Sequence, residues 1–535
     1  MKVFGWHEVS TSSPPDWYAD YIGDGPRLNP DQDWSEALLS LGGGDAKRYW
    51  ELSRFYWLPQ LALAAKTGDR KAAATIEYWL RDWIDKNPPF RGINWACAQE
   101  SAIRLMNLAL TALILDRWCN PSPAMQWLVE THAHRVYPTL SYAIGQDNNH
   151  GTAESSALFI AGTWGQKWGM KGSARIARTG KKWVNDRAKR VIQPDGSPCQ
   201  YSTTYHRANL EALCMVGLWS ARTGTGCLRD DAAARVVEGA RWLYAITDEV
   251  TGDAPNLGAN DGSHLFSVPE SRYRDFRPTV ALAAALFANA KPWADYLDAR
   301  IEALGLSPSE TVWPRAASHH FGDGGFHLLR KKNSVALMHY PCFQFRPSQA
   351  DALHVDLWHK GINLLRDAGT YSYNAHMAEW FAGTAAHNTI EFDGRNQMPR
   401  LGRFLFGEWL KATAVEPVVD DGVRATAAAQ YTDAHGARHH RTIKLSADLF
   451  ICQDTISGNF SEACLRWRLP PGNWRVERES IRNENHSITI EFDGKPILPT
   501  LGATVESRYY SKSTKIPEIS INVNRPGVLV TKVYF

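Results

Sequence analysis

Four groups of residues have types and spacings that can do chemistry, and they come in a definite order. Asn94-Trp95 with Glu100 and Arg104 is followed by Asn148-Asn149-His150-Gly151, then by Tyr201 and Tyr205, then by a His- and Asp-rich block between 347 and 395. Asn149 and His150 stand just ahead of the run TAESSALFIAGTW, which reads as a helix with Glu154 in its first turns. An amide and an imidazole at a helix start, where free backbone N–H groups already favour anions, form a cradle for a carboxylate. Such a cradle suits one reaction above others. Taking the C5 proton from a uronic acid requires donors that stabilise the enolate developing on the adjacent carboxylate. The competing reading of the same residues is a plain asparagine N-cap.

Tyr201 and Tyr205 lie in DGSPCQYSTTYHRANLEAL, ahead of an apolar helix face. A tyrosine there can protonate a glycosidic oxygen, or act as a base where nearby cations lower its pKa; equally, amphipathic tyrosines at helix ends pack the ring and wet the hydroxyl. Glu100 and Arg104 are four apart on one helix, which by itself supports a surface pair. Asn94-Trp95, on the preceding loop, is a candidate sugar contact, and Glu100, Arg104, Tyr201, His354 in HVDLWHK and Tyr371 and Tyr373 in DAGTYSYN are counted with it as candidate substrate-binding residues. Asp367 and His387 fall on what read as neighbouring strands. They can share a divalent metal such as Zn²⁺ if Gln349, Asp351 or His354 supplies a third ligand. A satisfied Asp–His hydrogen bond is the alternative.

Two textures must position these groups. From about 33 to 310 apolar residues recur at helical spacing, in segments such as 98–116, 123–145, 152–169, 173–192, 206–223, 231–247 and 277–304, separated by Gly, Pro, Asn or Asp. Past about 320 come short alternating runs (SVALMHY, NTIEFDG, RTIKLSADLFICQDTI, SITIEFDG) with turns between them, the pattern of a β-sandwich. Leu353, Val355 and Leu357 alternate with polar partners as in a half-buried strand. The boundary is expected near Pro308 to Pro314, dividing the chain into 1–312 and 313–535.

With 535 residues, the chain is too long for one ordinary core. A net charge of +3 from 59 basic and 56 acidic residues is too even for a nucleic-acid binder. No apolar run approaches the roughly 20 residues that cross a bilayer. The N-terminal stretch lacks the apolar core of a secretory signal, so the sequence as written reads as cytoplasmic, or periplasmic if a leader has been removed. Eight scattered cysteines without CxxC spacing argue against a zinc knuckle and against a disulfide scaffold, and read as buried thiols. The 22 tryptophans read mostly as helix-interface packing, although indoles also stack on sugars. Oligomeric state is not legible.

Taken in order, NW…E…R, NNHG, DGSxxxYSTTYH and HVDLW…DAGTY…AAHNT resemble the heparinase II/III-like polysaccharide lyases over residues 45–410. The resemblance implies an α+β multidomain chain, an N-terminal (α/α) toroid of helices followed by a C-terminal antiparallel β-sandwich, acting on an acidic polysaccharide. It further implies that Asn149 and His150 neutralise the uronate carboxylate, that Tyr205 donates the proton, and that Asp367 and His387 are metal ligands in zinc-bearing members. One departure stands out. The family's HxHxD, whose histidines serve as base and metal ligand, is here Pro347, Gln349 and Asp351. A tyrosine (Tyr205, or Tyr371 or Tyr373 from the β side) then removes the proton, or His354 or another nearby histidine takes over, or the polymer is bound without being cut; Gln349 is left as a weak third metal ligand. Glycoside hydrolysis, with Glu100, Glu154, Asp195 and Asp351 as available carboxylates, is the other enzymatic alternative.

Overall fold

A computed structural model describes residues 1–265, 272–296 and 298–535. The chain forms two compact units: one comprises Met1–Ile192, Tyr205–Arg241 and Asp261–Trp313, the other Gln193–Thr204, Trp242–Asn260 and Pro314–Phe535. The segments 193–204 and 242–260, which the boundary expected from texture places in the first half, group with the second unit.

Some helices of the first unit begin where the sequence supplies a side-chain cap. Asp69 accepts from the N–H groups of Lys71 and Ala72 to open Arg70–Lys86, and Gly68 (φ +102°) makes the turn before it. Ser122 with Pro123 opens Pro123–Val136. The longer helices include Ala98–Ile114, Asn149–Gly165, Ser173–Val191 and Thr203–Thr223. The expected helical segment 277–304 is instead two helices, Arg277–Phe287 and Ala299–Ala303, separated by Asn289 at φ +47° and Pro292; Leu297 lies outside the described residues. Asn149–Gly165 and Ser173–Val191 approach closely at two glycines. A Cβ on Gly162 would sit 2.3 Å from the backbone nitrogen of Ala177, and one on Gly180 2.3 Å from that of Phe159. Most tryptophans do fill the interior, with Trp17, Trp83, Trp95, Trp164, Trp219, Trp242 and Trp467 among the largest fully buried side chains. Of the free cysteines, Cys119 is exposed and Cys97 and Cys342 are half-buried, so the reading of buried thiols holds only for the others.

In the second unit the main sheets are antiparallel. A five-stranded meander runs His319–Phe321, Phe326–Lys331, Ser334–His339, His354–His359, Ile362–Leu365. A nine-stranded sheet and a four-stranded sheet that includes Ile390–Phe392 complete it. Leu329, Val355, Leu357, Ile390, Ile443, Phe450, Trp467 and Ile519 share one apolar core drawn from all three sheets. The strand His354–His359 is not half-buried: each of its six residues is buried, because the polar face is covered as well as the apolar one. Among the described residues no helix is long and apolar enough to cross a membrane.

Candidate functional site

Asn148 is the N-cap of Asn149–Gly165, its side chain accepting the His150 N–H at 3.0 Å. The cap and the cradle therefore coexist: Asn148 closes the helix end, and Asn149 and His150 occupy the first turn beyond it. Asn149 is nearly buried, while the His150 side chain is 30% exposed and can meet a ligand. One turn further, Glu154 Oε1 lies 3.8 Å from His150 Nδ1, and Glu154 Oε2 is buried without a partner. Burial pushes this carboxyl up to about 8, against the opposing pull of the Arg135 guanidinium. Arg135, which sequence reasoning missed, is anchored on the carbonyls of Trp95 (2.8 Å) and Ala96 (2.9 Å).

That anchoring explains what the Asn94-Trp95 segment does. Asn94 and Trp95 are fully buried: Asn94 Nδ2 donates to the Trp17 carbonyl (3.1 Å) and to Asn87 Oδ1 (2.8 Å), and Trp95 packs on Trp83 and His132. Arg104, also fully buried, donates to His132 Nε2 (2.8 Å) and the Asn94 carbonyl (2.7 Å). Glu100 does not pair with Arg104 on the surface. It accepts both Nε and Nη2 of Arg54, at 2.7 and 2.8 Å, in the interior. The four side chains suggested as sugar contacts, Asn94, Trp95, Glu100 and Arg104, are thus buried and committed to interior partners, and we read them as scaffolding for Arg135.

Tyr205 is half-buried in the first turn of Thr203–Thr223, in the same unit as Asn149 and His150. Tyr201 has a different fate. Its backbone is left-handed (φ +51°), its ring stacks on His339 with centroids 5.5 Å apart, and its hydroxyl accepts from the backbone N–H of Gln344 (2.8 Å) and Phe345 (3.4 Å). Burial pushes that phenol far up, and it serves the interior of the β-rich unit rather than a sugar.

In that unit His354, Asp367 and His387 each bring one donor atom within 4.8 Å of the others, close enough to hold a metal ion. Asp367 Oδ2 accepts from His387 Nδ1 at 2.8 Å and lies 3.5 Å from His354 Nε2; Oδ1 accepts from the Gly369 N–H at 2.6 Å. Burial would raise this carboxyl, but the His387 ring and the hydrogen bonds from His387 and the Gly369 N–H outweigh it and hold it at about 2. Asp356 Oδ2 lies 3.6 Å from His354 Nε2 on the other side. His354 is therefore interior, which removes it as a sugar contact. His354 Nε2, His387 Nε2 and Asp356 Oδ2 are buried without hydrogen-bond partners, as around a cation, but one contact opposes ligation through His354. The Asn388 backbone N–H donates to His354 Nδ1 at 3.0 Å, so the ring proton of the neutral imidazole sits on Nε2, the nitrogen that would have to offer a lone pair. Gln349, expected as a ligand, instead donates Nε2 to the Gly369 carbonyl at 3.2 Å.

Asp351, the retained acid of the block, pairs with His339 Nδ1 at 3.3 Å, and that pairing was not foreseen. No local signal marks His339 or Asn388, because both act across sequence gaps. Tyr371 is half-buried on Phe381, and Tyr373 borders a surface cleft.

The chain matches the profile of the heparinase II/III N-terminus over residues 20–226 and that of the heparinase II/III-like C-terminal domain over 314–521. A heparin-sulfate lyase of Bacteroides stercoris is 21% identical over 392 residues, covering 66% of this chain and 55% of that protein, so the chain spans about half the length of this curated relative. Among solved structures, a heparinase III gene product superposes with a TM-score of 0.65 at 18% identity, covering 98% of this chain and 84% of the other. A heparan sulfate lyase mutant from Pedobacter heparinus gives 0.63 at 20% identity, covering 96% and 80%. These likenesses show the fold: an (α/α) toroid of helices followed by an antiparallel β-sandwich.

Proposed function

Because the chain belongs to the heparinase II/III-like family, we propose that it cleaves a uronic-acid-containing polysaccharide by β-elimination. The observation that carries this reading is the partly exposed His150 imidazole beside Asn149 in the first turn of a capped helix. Asn149, His150 and the helix's own N–H groups hold the uronate carboxylate and stabilise the enolate that forms when the C5 proton leaves. Tyr205 takes that proton as phenolate and returns it to the departing O4, so one hydroxyl serves both halves of the reaction and the electron pair of the C5–H bond ends in the C4–C5 double bond. Pro347 and Gln349 stand where the family's histidines do, which favours the tyrosine for the base.

Hydrolysis fits less well. It needs two available carboxylates, whereas Glu100 is locked to Arg54 and Asp351 to His339. Asp195 is spent on the Ser197 hydroxyl and N–H and on the N–H of Asp323. We read the His354–Asp367–His387 cluster as a buried group in which His387 Nδ1 donates to Asp367, and we route no step through a metal. Incubation with a panel of uronate polymers tests the function: unsaturated products absorbing in the ultraviolet support elimination, saturated reducing ends indicate hydrolysis, and saturable binding with unchanged polymer length indicates a non-catalytic glycan binder.

A further inference from the structure

The β-rich unit carries a cleft that neither the elimination chemistry nor the His–Asp cluster uses. Gln349, nearly buried, lines it together with half-buried Tyr373 and Arg400 and exposed Arg403 and Phe404. Because Gln349 Nε2 is committed to the Gly369 carbonyl, the orientation of the amide is settled, and Oε1 is left buried as an acceptor without a partner. A buried orphan acceptor is costly unless something donates to it. The enclosed part of the cleft is about 20 Å³, enough for one water-sized group such as a hydroxyl.

The walls differ from the floor. Arg400–Gly402 and Leu405–Phe406 form a small antiparallel hairpin. Its tip residue Phe404 meets the Tyr373 ring edge-on, with centroids 4.7 Å apart, and 39% of Phe404 stays exposed. Arg403 is exposed and makes no ion pair or hydrogen bond among the described residues. Arg400 Nε is buried without a partner, and its nearest carboxylate, Glu379, is 3.7 Å from Nη1. One acceptor at the floor, an aromatic corner and two guanidinium groups match a sugar that presents a hydroxyl, a ring face and an anionic group together.

We propose that this cleft is a subsite for one acidic sugar residue: a ring hydroxyl donates to Gln349 Oε1, the carboxylate meets Arg400 and Arg403, and the ring lies against Phe404 and Tyr373. The assignment rests on the reading of the chain as acting on an acidic polysaccharide, and it adds which residues outside the elimination site select the acid.

The test is calorimetric titration of the full chain carrying Tyr205→Phe, which slows turnover, with an unsulfated uronate octasaccharide and with its carboxyl-reduced, neutral derivative. Arg403→Ala should cut the preference for the acidic form by about tenfold. Phe404→Ala should weaken both ligands by about the same factor, on the order of five- to tenfold. Gln349→Leu should weaken both as well; if that variant misfolds by circular dichroism, the two exposed positions carry the test. The proposal is overturned if Arg403→Ala keeps the full preference, if Phe404→Ala leaves both affinities unchanged, or if the parent chain binds neither ligand. Ultraviolet product formation by the chain with Tyr205 intact is scored separately, so that loss of the subsite with elimination intact, or an intact subsite without elimination, tells the two readings apart.

Discussion

The backbone N–H of Asn388 donates to His354 Nδ1 at 3.0 Å, and this one bond decides the chemistry of the cluster around Asp367. A neutral imidazole has one proton and one lone pair. With the lone pair of Nδ1 engaged by an amide, the proton is on Nε2, directed between Asp367 and Asp356 at 3.5 and 3.6 Å. Metal ligation through Nε2 would require an imidazolate or a broken bond to Asn388. Prolonged dialysis against a strong chelator is therefore expected to leave both the melting temperature and the elimination rate unchanged, and elemental analysis of the purified chain should find well under one equivalent of zinc. A stoichiometric metal whose removal lowers the melting temperature would refute this reading.

Tyr205→Phe is expected to lower kcat/KM for a uronate polymer by about 10²–10⁴-fold, since it removes a general acid and base together. Asn149→Ala should cost about 10²–10³-fold, the usual loss for one donor to a developing oxyanion. In both variants the fall should appear mainly in kcat, because the interactions strengthen as charge develops. Initial rates from ultraviolet absorbance of the unsaturated product measure it. Undiminished product formation by Tyr205→Phe would remove the assignment.

How much of this was legible in the sequence depends on range. Helical period and caps placed Asn148 through Glu154 at a helix start, because those signals are local; alternation put Asp367 and His387 in the β-rich half but wrongly on neighbouring strands, since both lie in loops, one just after Ile362–Leu365 and the other just before Ile390–Phe392, which belong to different sheets. Burial of polar residues is not a local signal. Glu100 has Arg104 four residues on, yet it pairs with Arg54, 46 residues earlier, at 2.7 Å; nothing in a short window distinguishes an interior bidentate pair from a solvated one. Trp95 and Tyr201 failed as sugar contacts for the same reason, since an aromatic ring looks alike whether it meets His132, His339 or a pyranose. The grouping of 193–204 and 242–260 with the second unit is likewise long-range.

Glu154 gives the chain a specific pH signature. Its carboxyl rises from 4.5 to about 8 on burial in the folded state. The folded chain thus binds a proton that the unfolded chain has released between those two values, and stability falls as pH rises through that window. The contribution is fully present below about 4.5 and lost above about 8. Glu154→Gln, which cannot ionise, should show a flatter dependence of melting temperature on pH from 5 to 8.5 and should be the more stable protein at the alkaline end. Parallel curves for the two chains would show that Glu154 titrates normally.

Arg54 is the remaining point where one substitution should have a large effect. It is fully buried and holds two buried carboxylates: Glu51 through Nη1 at 2.9 Å, and Glu100 through Nε and Nη2. Burial already pushes the Glu51 carboxyl up, with Arg54 the leading counterweight. Replacing it by methionine keeps much of the volume but leaves two acids in the interior without their cation, which costs about 3–5 kcal/mol when one partner of a buried pair is removed. Glu100→Gln should cost less, because the amide oxygen still accepts from the guanidinium and no unpaired charge remains on the acid side. Urea titration of the three chains checks the ordering. A loss for Arg54→Met no greater than that for Glu100→Gln would show that the cluster is solvated rather than sealed.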